Sequence, residues 1–186
     1  MSGTFNDIDV PPTLVSFAGD VAKEQDIVTP ELKTAGDKLM YFTIDHDAYD
    51  LPDYEQVMKL YDAVYALIQD KKLKAVYALD AKGLVAAVSK MAFGNKLGVS
   101  LRGCLKSEEA FAPGFGNLVA EVAPEDTDAV KEALEAVGLR ENVSIVGSVL
   151  EEPVFRYGDV EIAMDDALSA WTNTLEKVYP TRATTD

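Results

Sequence analysis

Short apolar runs alternate with amphipathic stripes along this chain, but a hairpin breaks the order before any sustained strand–helix–strand rhythm develops. That order favours helices packed on a mixed or antiparallel sheet over a doubly wound parallel one. The expected class is α+β. From Asp53 to Asp70 the side chains of Val57, Leu60, Tyr61, Val64, Leu67 and Ile68 fall at three- and four-residue spacing, which predicts a helix. Asp53 with Gln56 makes a capping pair at its start. A strand over 75–78 leads to a second helix, with Leu84, Ala87, Val88 and Met91 on one side and Gly94-Asn95 at its end.

Other strands are predicted at 14–18, ended by Gly19-Asp20, and at 38–44, 97–101, 118–122 and 143–149. A hairpin is expected over 154–157 and 160–162, turned by Gly158-Asp159. Two more helices follow from periodicity. One carries Val130, Ala133, Leu134 and Val137 and stops at Gly138. The other runs from about 166 to 178 with Leu168, Trp171, Leu175 and Val178 on one side.

At 186 residues and 48% hydrophobic composition, one domain with a single core is expected. The proposed boundaries are a junction at 1–10, the domain at 11–180 and a polar tail at 181–186. The charge of -15 repels nucleic acid and anionic membranes, so neither is an expected partner. Cys104 is the lone cysteine, which rules out an internal disulfide and a multi-cysteine zinc site. No apolar run reaches the length of a membrane span and the opening MSGTFNDID lacks a signal sequence, so a cytoplasmic location is expected.

Two segments carry candidate chemistry. A helix starting directly after a strand offers unpaired amides to an anion, which makes Asp80, Lys82 and Gly83 a candidate phosphate cradle. The competing reading is that Asp80 only caps the helix, and its carboxylate would repel a phosphate. Gly114, Gly116 and Asn117 form the second candidate, where glycines permit close approach of a ligand or neighbouring domain, or simply make a tight turn. His46 and Cys104 stand too far apart to predict a nucleophile–base pair. The six acids between Glu121 and Glu135 need no metal, because dipole stabilisation and solubility account for those at the helix start. No P-loop, dinucleotide turn or histidine-rich ligand cluster is present, and no metal site is expected.

The text of the chain itself is sharper. MSGTFNDIDVPPTLVSFAGDV, DIVTPELKTAGDKLMYF, the run from KLYDAVYALIQ through MAFGNKLGVSL, APGFGNLVAEV and ALSAWTNTLEKVYPTR resemble the large, single-chain phosphoribosylformylglycinamidine synthases over nearly the whole chain. The tryptophan-containing helix favours the second of that family's two C-terminal-type synthetase domains, with the fold of the aminoimidazole ribonucleotide synthetase C-terminal domain. The resemblance implies a glutamine- and ATP-dependent ligase of purine biosynthesis that converts formylglycinamide ribonucleotide to formylglycinamidine ribonucleotide. It further implies ATP and magnesium as cofactors of the complete enzyme. Neighbouring ATP-binding synthetase domains and a glutaminase domain would then be partners in the same polypeptide.

No catalytic residue is expected in this segment, and no cofactor is assigned to it alone. Where the family carries His-Asp-x-Ser-Asp-Gly-Gly, this chain reads Tyr77-Ala78-Leu79-Asp80-Ala81-Lys82-Gly83. Tyr77 replaces the histidine, Ala78 the magnesium-binding aspartate, Asp80 the nucleotide-touching serine and Lys82 the first glycine. A hard cation loses an oxygen ligand at Ala78. Two alternatives remain: the C-terminal domain of another synthetase of the same superfamily, or a stand-alone acidic interaction or nucleotide-sensing module.

Overall fold

A computed structural model describes residues 3–12, 14–19, 21–101, 107–176 and 178–180. In chain order the elements are β1 (Gly3–Phe5), β2 (Ile8–Val10), β3 (Lys38–Phe42), α1 (Tyr54–Gln69), β4 (Ala75–Ala78), α2 (Gly83–Asn95), β5 (Gly98–Leu101) and α3 (Ser107–Ala110). They continue with β6 (Leu118–Val122), α4 (Thr127–Ala136), β7 (Val143–Leu150), β8 (Val154–Tyr157), β9 (Val160–Ala163) and α5 (Met164–Thr172).

Strands β3 to β9 make one seven-stranded sheet in the order β4-β6-β3-β7-β5-β8-β9, while β1 and β2 pair separately. Every neighbouring pair is antiparallel except β5 and β8. The sheet is therefore mixed, one of the two arrangements that the order of elements predicts. Its faces are covered by different helices. On one, Leu39, Val119, Val99 and Val149 pack with Leu84, Ala87, Val88 and Met91 of α2. On the other, Met40, Phe42, Leu118, Ala120 and Val122 pack with Leu60, Val64 and Leu67 of α1 and with Val130 and Leu134 of α4. Successive residues of β3 and β6 point to opposite faces, so both strands are largely buried on both sides and are mostly apolar, with Lys38 and Glu121 the charged members.

Two expectations are corrected. Residues 14–18 form no strand; they run as exposed chain, with Leu14 97% and Phe17 92% accessible. A strand needs a hydrogen-bonded neighbour, and apolarity alone does not supply one. Ahead of this segment β1 and β2 form a hairpin turned through Asn6 at φ +53°. The final helix stops at Thr172, and Met164 is its one buried residue among those described, so Leu175 and Val178 stay exposed. Trp171 instead stacks on Phe93 of α2, with centroids 5.2 Å apart.

At α1 the predicted cap is half realised. Asp53 accepts hydrogen bonds from the amides of Glu55 and Gln56. The Gln56 side chain turns away from Asp53 and binds Asp45, accepting from its amide and donating to its carboxylate. The amide of Asp53 donates to the carbonyl of Asp45, which leaves Gln56 free to do so.

Candidate functional site

β3 and β4 finish, and β6 begins, at the same end of the sheet, because Phe42 and Ala78 both pair with Leu118. The two sequence candidates thereby meet. The carbonyl of Asp80 accepts from the amide of Gly114 at 3.1 Å, and the amide of Leu79 donates to the carbonyl of Asn117 at 3.0 Å. The turn at 79–83 and the loop at 110–117 are one backbone-bonded substructure.

Gly83 begins α2 with φ +74°, in the left-handed region that L side chains avoid. A Cβ on it would stand 2.5 Å from the carbonyl oxygen of Ala112 and 2.8 Å from that of Ala110. Glycine is thus required twice, by conformation and by the backbone pressed against it. Gly114 lies under the side chain of Leu79, and Gly116, at φ +86°, lies against that of Ile44. Asn117 is buried beneath the loop: its Oδ1 accepts from the amide of Ile44 at 2.9 Å and its Nδ2 donates to the hydroxyl of Tyr41 at 2.8 Å. Burial of that hydroxyl raises the Tyr41 pKa, and the bond from Asn117 offsets part of the rise.

Asp80 is not the cap of α2 that the competing reading expected. The N-cap position of α2 falls on Lys82, whose side chain makes no capping bond. One Asp80 oxygen accepts from the amide of Lys82 at 2.7 Å and the other pairs with the ammonium of Lys90 at 3.0 Å. The bond from the Lys82 amide, and after it Lys90, holds the Asp80 carboxyl below its ordinary pKa. Lys90 also sits 5.7 Å from the centre of the Tyr77 ring. Lys82 is exposed beside the turn.

Sequence spacing missed one participant. His46 reaches the loop from the segment between β3 and α1 and donates from Nε2 to the carbonyl of Phe115 at 2.9 Å, since a carbonyl can only accept. With Asp50, Ala112, Pro113 and Phe115 it lines a concavity of about 220 Å³. Spacing gave no signal for this contact, because 69 residues separate the partners. Cys104 lies outside the described residues.

Chemically, this end of the fold is already supplied with anions. Asp47 accepts from the amides of Tyr49 and Leu51, Asp53 caps α1 and Asp80 takes the amide of Lys82. For magnesium the donor set does not fit: Ala78 offers no ligand, Asp80 has both oxygens engaged, and among the described residues no cluster of three His, Cys, Asp or Glu could hold a metal. Also among the described residues, no helix is long and apolar enough to cross a membrane.

A second polar cluster lies along β6. Glu121 is fully buried and accepts from the amides of Lys33 and Thr34, each at 2.7 Å. The neighbouring carboxyl of Asp37 favours its protonated form. Lys74 approaches Asp37 Oδ2 at 2.6 Å as an ion pair, without the alignment of a hydrogen bond. Burial, opposed by the two amides and assisted by Asp37, pushes the Glu121 carboxyl up to about 7. The signal was an acid inside an otherwise apolar strand, Leu-Val-Ala-Glu-Val.

Comparison with known proteins bears on what this geometry belongs to. Residues 27–159 match the family described as AIR synthase related protein, C-terminal domain. The chain is similar to a protein of Arabidopsis thaliana named probable phosphoribosylformylglycinamidine synthase, chloroplastic/mitochondrial, at 28% identity over 163 residues. That match covers 74% of this chain and 11% of the relative, so the chain spans about a tenth of the relative's length. Among solved structures, PurL of Thermotoga maritima complexed with AMPPCP superposes with a TM-score of 0.66 at 16% identity, over 77% of this chain and 27% of that one. HypE of E. coli superposes with a TM-score of 0.56 at 22% identity, over 72% and 50% respectively. At these identities the structural likeness shows a shared fold.

Proposed function

The chain belongs to the family of AIR synthase related proteins, C-terminal domain, and from that premise we propose that it serves as one domain of a phosphoribosylformylglycinamidine synthase. The observation that carries the proposal is the family match over residues 27–159, joined to a relative of that name whose length far exceeds this chain's. In the proposed enzyme, glutamine-derived ammonia displaces phosphate from a phosphorylated formylglycinamide ribonucleotide. ATP is consumed, with magnesium, in domains that this chain does not contain. The proposed organisation keeps residues 11–180 as the synthetase-type domain, 1–10 as the junction to a preceding ATP-binding domain and 181–186 as the lead toward a glutaminase domain. A cytoplasmic location belongs to the same proposal.

Within that enzyme the turn at 79–83 and the loop at 110–117 are proposed to act by shape. Asp80 organises the turn through Lys82 and Lys90, Gly83 admits the 110–112 backbone, and Asn117 supports the loop from beneath. Lys82, exposed beside the turn, is the residue proposed to meet a nucleotide or phosphate brought by another domain. Gly114 and Gly116 keep the loop low enough for close contact with a neighbour. Isolated, the domain is proposed to be inactive.

Complementation tests the reading. The full polypeptide encoding this sequence is expected to restore growth without purines to a strain lacking the synthase, and the 186-residue chain alone is not. Rescue by the chain alone would remove the proposal.

A further inference from the structure

One face of α1 is left over by the fold. Its inward residues Leu60, Ala63, Val64 and Leu67 are buried. Its outward side carries Tyr54, Met58, Tyr61 and Tyr65, which are 67, 63, 40 and 53% exposed. The intervals are four, three and four residues, the spacing of a heptad seam. Tyrosine and methionine are enriched where proteins meet. This spacing selects the shape of the occupant: side chains at alternating three and four intervals interlock with another helix, whereas a strand offers a period of two.

Charge selects its chemistry. Glu55 and Asp62 follow Tyr54 and Tyr61 directly and occupy the equivalent flanking position in successive heptads. On the opposite flank Val57 and Val64 turn into the core. The open flank is therefore acidic. Lys59 is bound to Glu55 at 2.7 Å, and among the described residues Asp62 has no ion pair. A second copy of the chain would bring another net charge of -15 and set acids against these acids.

We propose that the outer face of α1 docks an amphipathic helix of a partner, with apolar residues at heptad spacing and lysine or arginine beside them. The proposal is independent of the chemistry assigned to the complete enzyme.

The test uses two synthetic helical peptides of about three heptads with leucine along the seam. One carries lysine at the flanking positions and the other glutamate. Each is labelled and titrated with the 186-residue chain at about 0.15 M salt, where long-range attraction is largely screened. The lysine peptide is expected to bind saturably, and the glutamate peptide at least about tenfold more weakly. Tyr61→Ser with Tyr65→Ser should weaken the lysine peptide at least about tenfold, and Asp62→Lys should narrow its preference over the glutamate peptide.

A control pair on α4, Asp128→Asn with Glu132→Gln, should leave binding within about twofold. Thermal melts establish that each variant is folded, and Met58→Gln replaces the double variant if that one is not. Equal weakening by the α4 pair, equal binding by the tyrosine variant, or absence of saturation would overturn the proposal. So would sedimentation as a dimer that the tyrosine variant abolishes, since a second copy would then cover the face.

Discussion

Glu121 illustrates how much depends on a single side chain's surroundings. A raised carboxyl pKa means that the folded state holds a proton the unfolded state releases at the ordinary Glu value of 4.5. The contribution of Glu121 to stability is therefore full below that value and is lost as pH rises to about 7. Chemical denaturation between about pH 5 and about pH 7.5 should show a fall of roughly 2–3 kcal/mol from this group, and Glu121→Gln should flatten it. A wild-type profile that rises across the window would contradict the assignment. At Gly83, alanine would need a left-handed backbone and would meet two carbonyl oxygens, so Gly83→Ala should lower stability by about 3 kcal/mol or more. An unchanged denaturation midpoint would show that the 110–112 backbone yields. Glycine at 83 was legible as a turn residue. The proximity of residues 110–112 was not, since it depends on β4 and β6 being neighbours in the sheet.

Among the elements, those with their own period were read closely. α1, α2, α4 and β6 fall where the spacing of apolar residues puts them, because each buries a stripe or a face that the sequence displays, and the β8–β9 hairpin falls where its Gly158-Asp159 turn puts it. The failures share a cause. The apolar residues of the 14–18 run, and Leu175 and Val178 beyond the last helix, are given no surface to bury against by the described residues. The start of α1 offers a quantitative check on local reading. Asp53 satisfies two amides of the first turn, so Asp53→Ala should cost about 1 kcal/mol, with Asp53→Ser recovering most of it. Full retention of stability in the alanine variant would mean that Gln56 and Asp45 hold the helix start by themselves.

Across the whole molecule, a seven-stranded mixed sheet carries helices on both faces, and two loops joined at one end line a concavity of about 220 Å³. The α+β class followed from element order. The strand order β4-β6-β3-β7-β5-β8-β9 did not, because non-local pairing leaves little trace in spacing. The candidate site divides similarly: its glycines and Asp80 were visible, while their mutual bonding, His46 on Phe115 and the role of Asn117 beneath the loop emerge only from the pairing. The carboxylates of Asp47 and Asp80 already accept from amides of their own loops. The most direct test is the synthesis of formylglycinamidine ribonucleotide from formylglycinamide ribonucleotide, glutamine, ATP and magnesium. The full polypeptide containing this sequence should form product and release ADP, and the isolated 186-residue chain should do neither. Turnover by the isolated chain, or failure of the full polypeptide to form the product, would contradict the account.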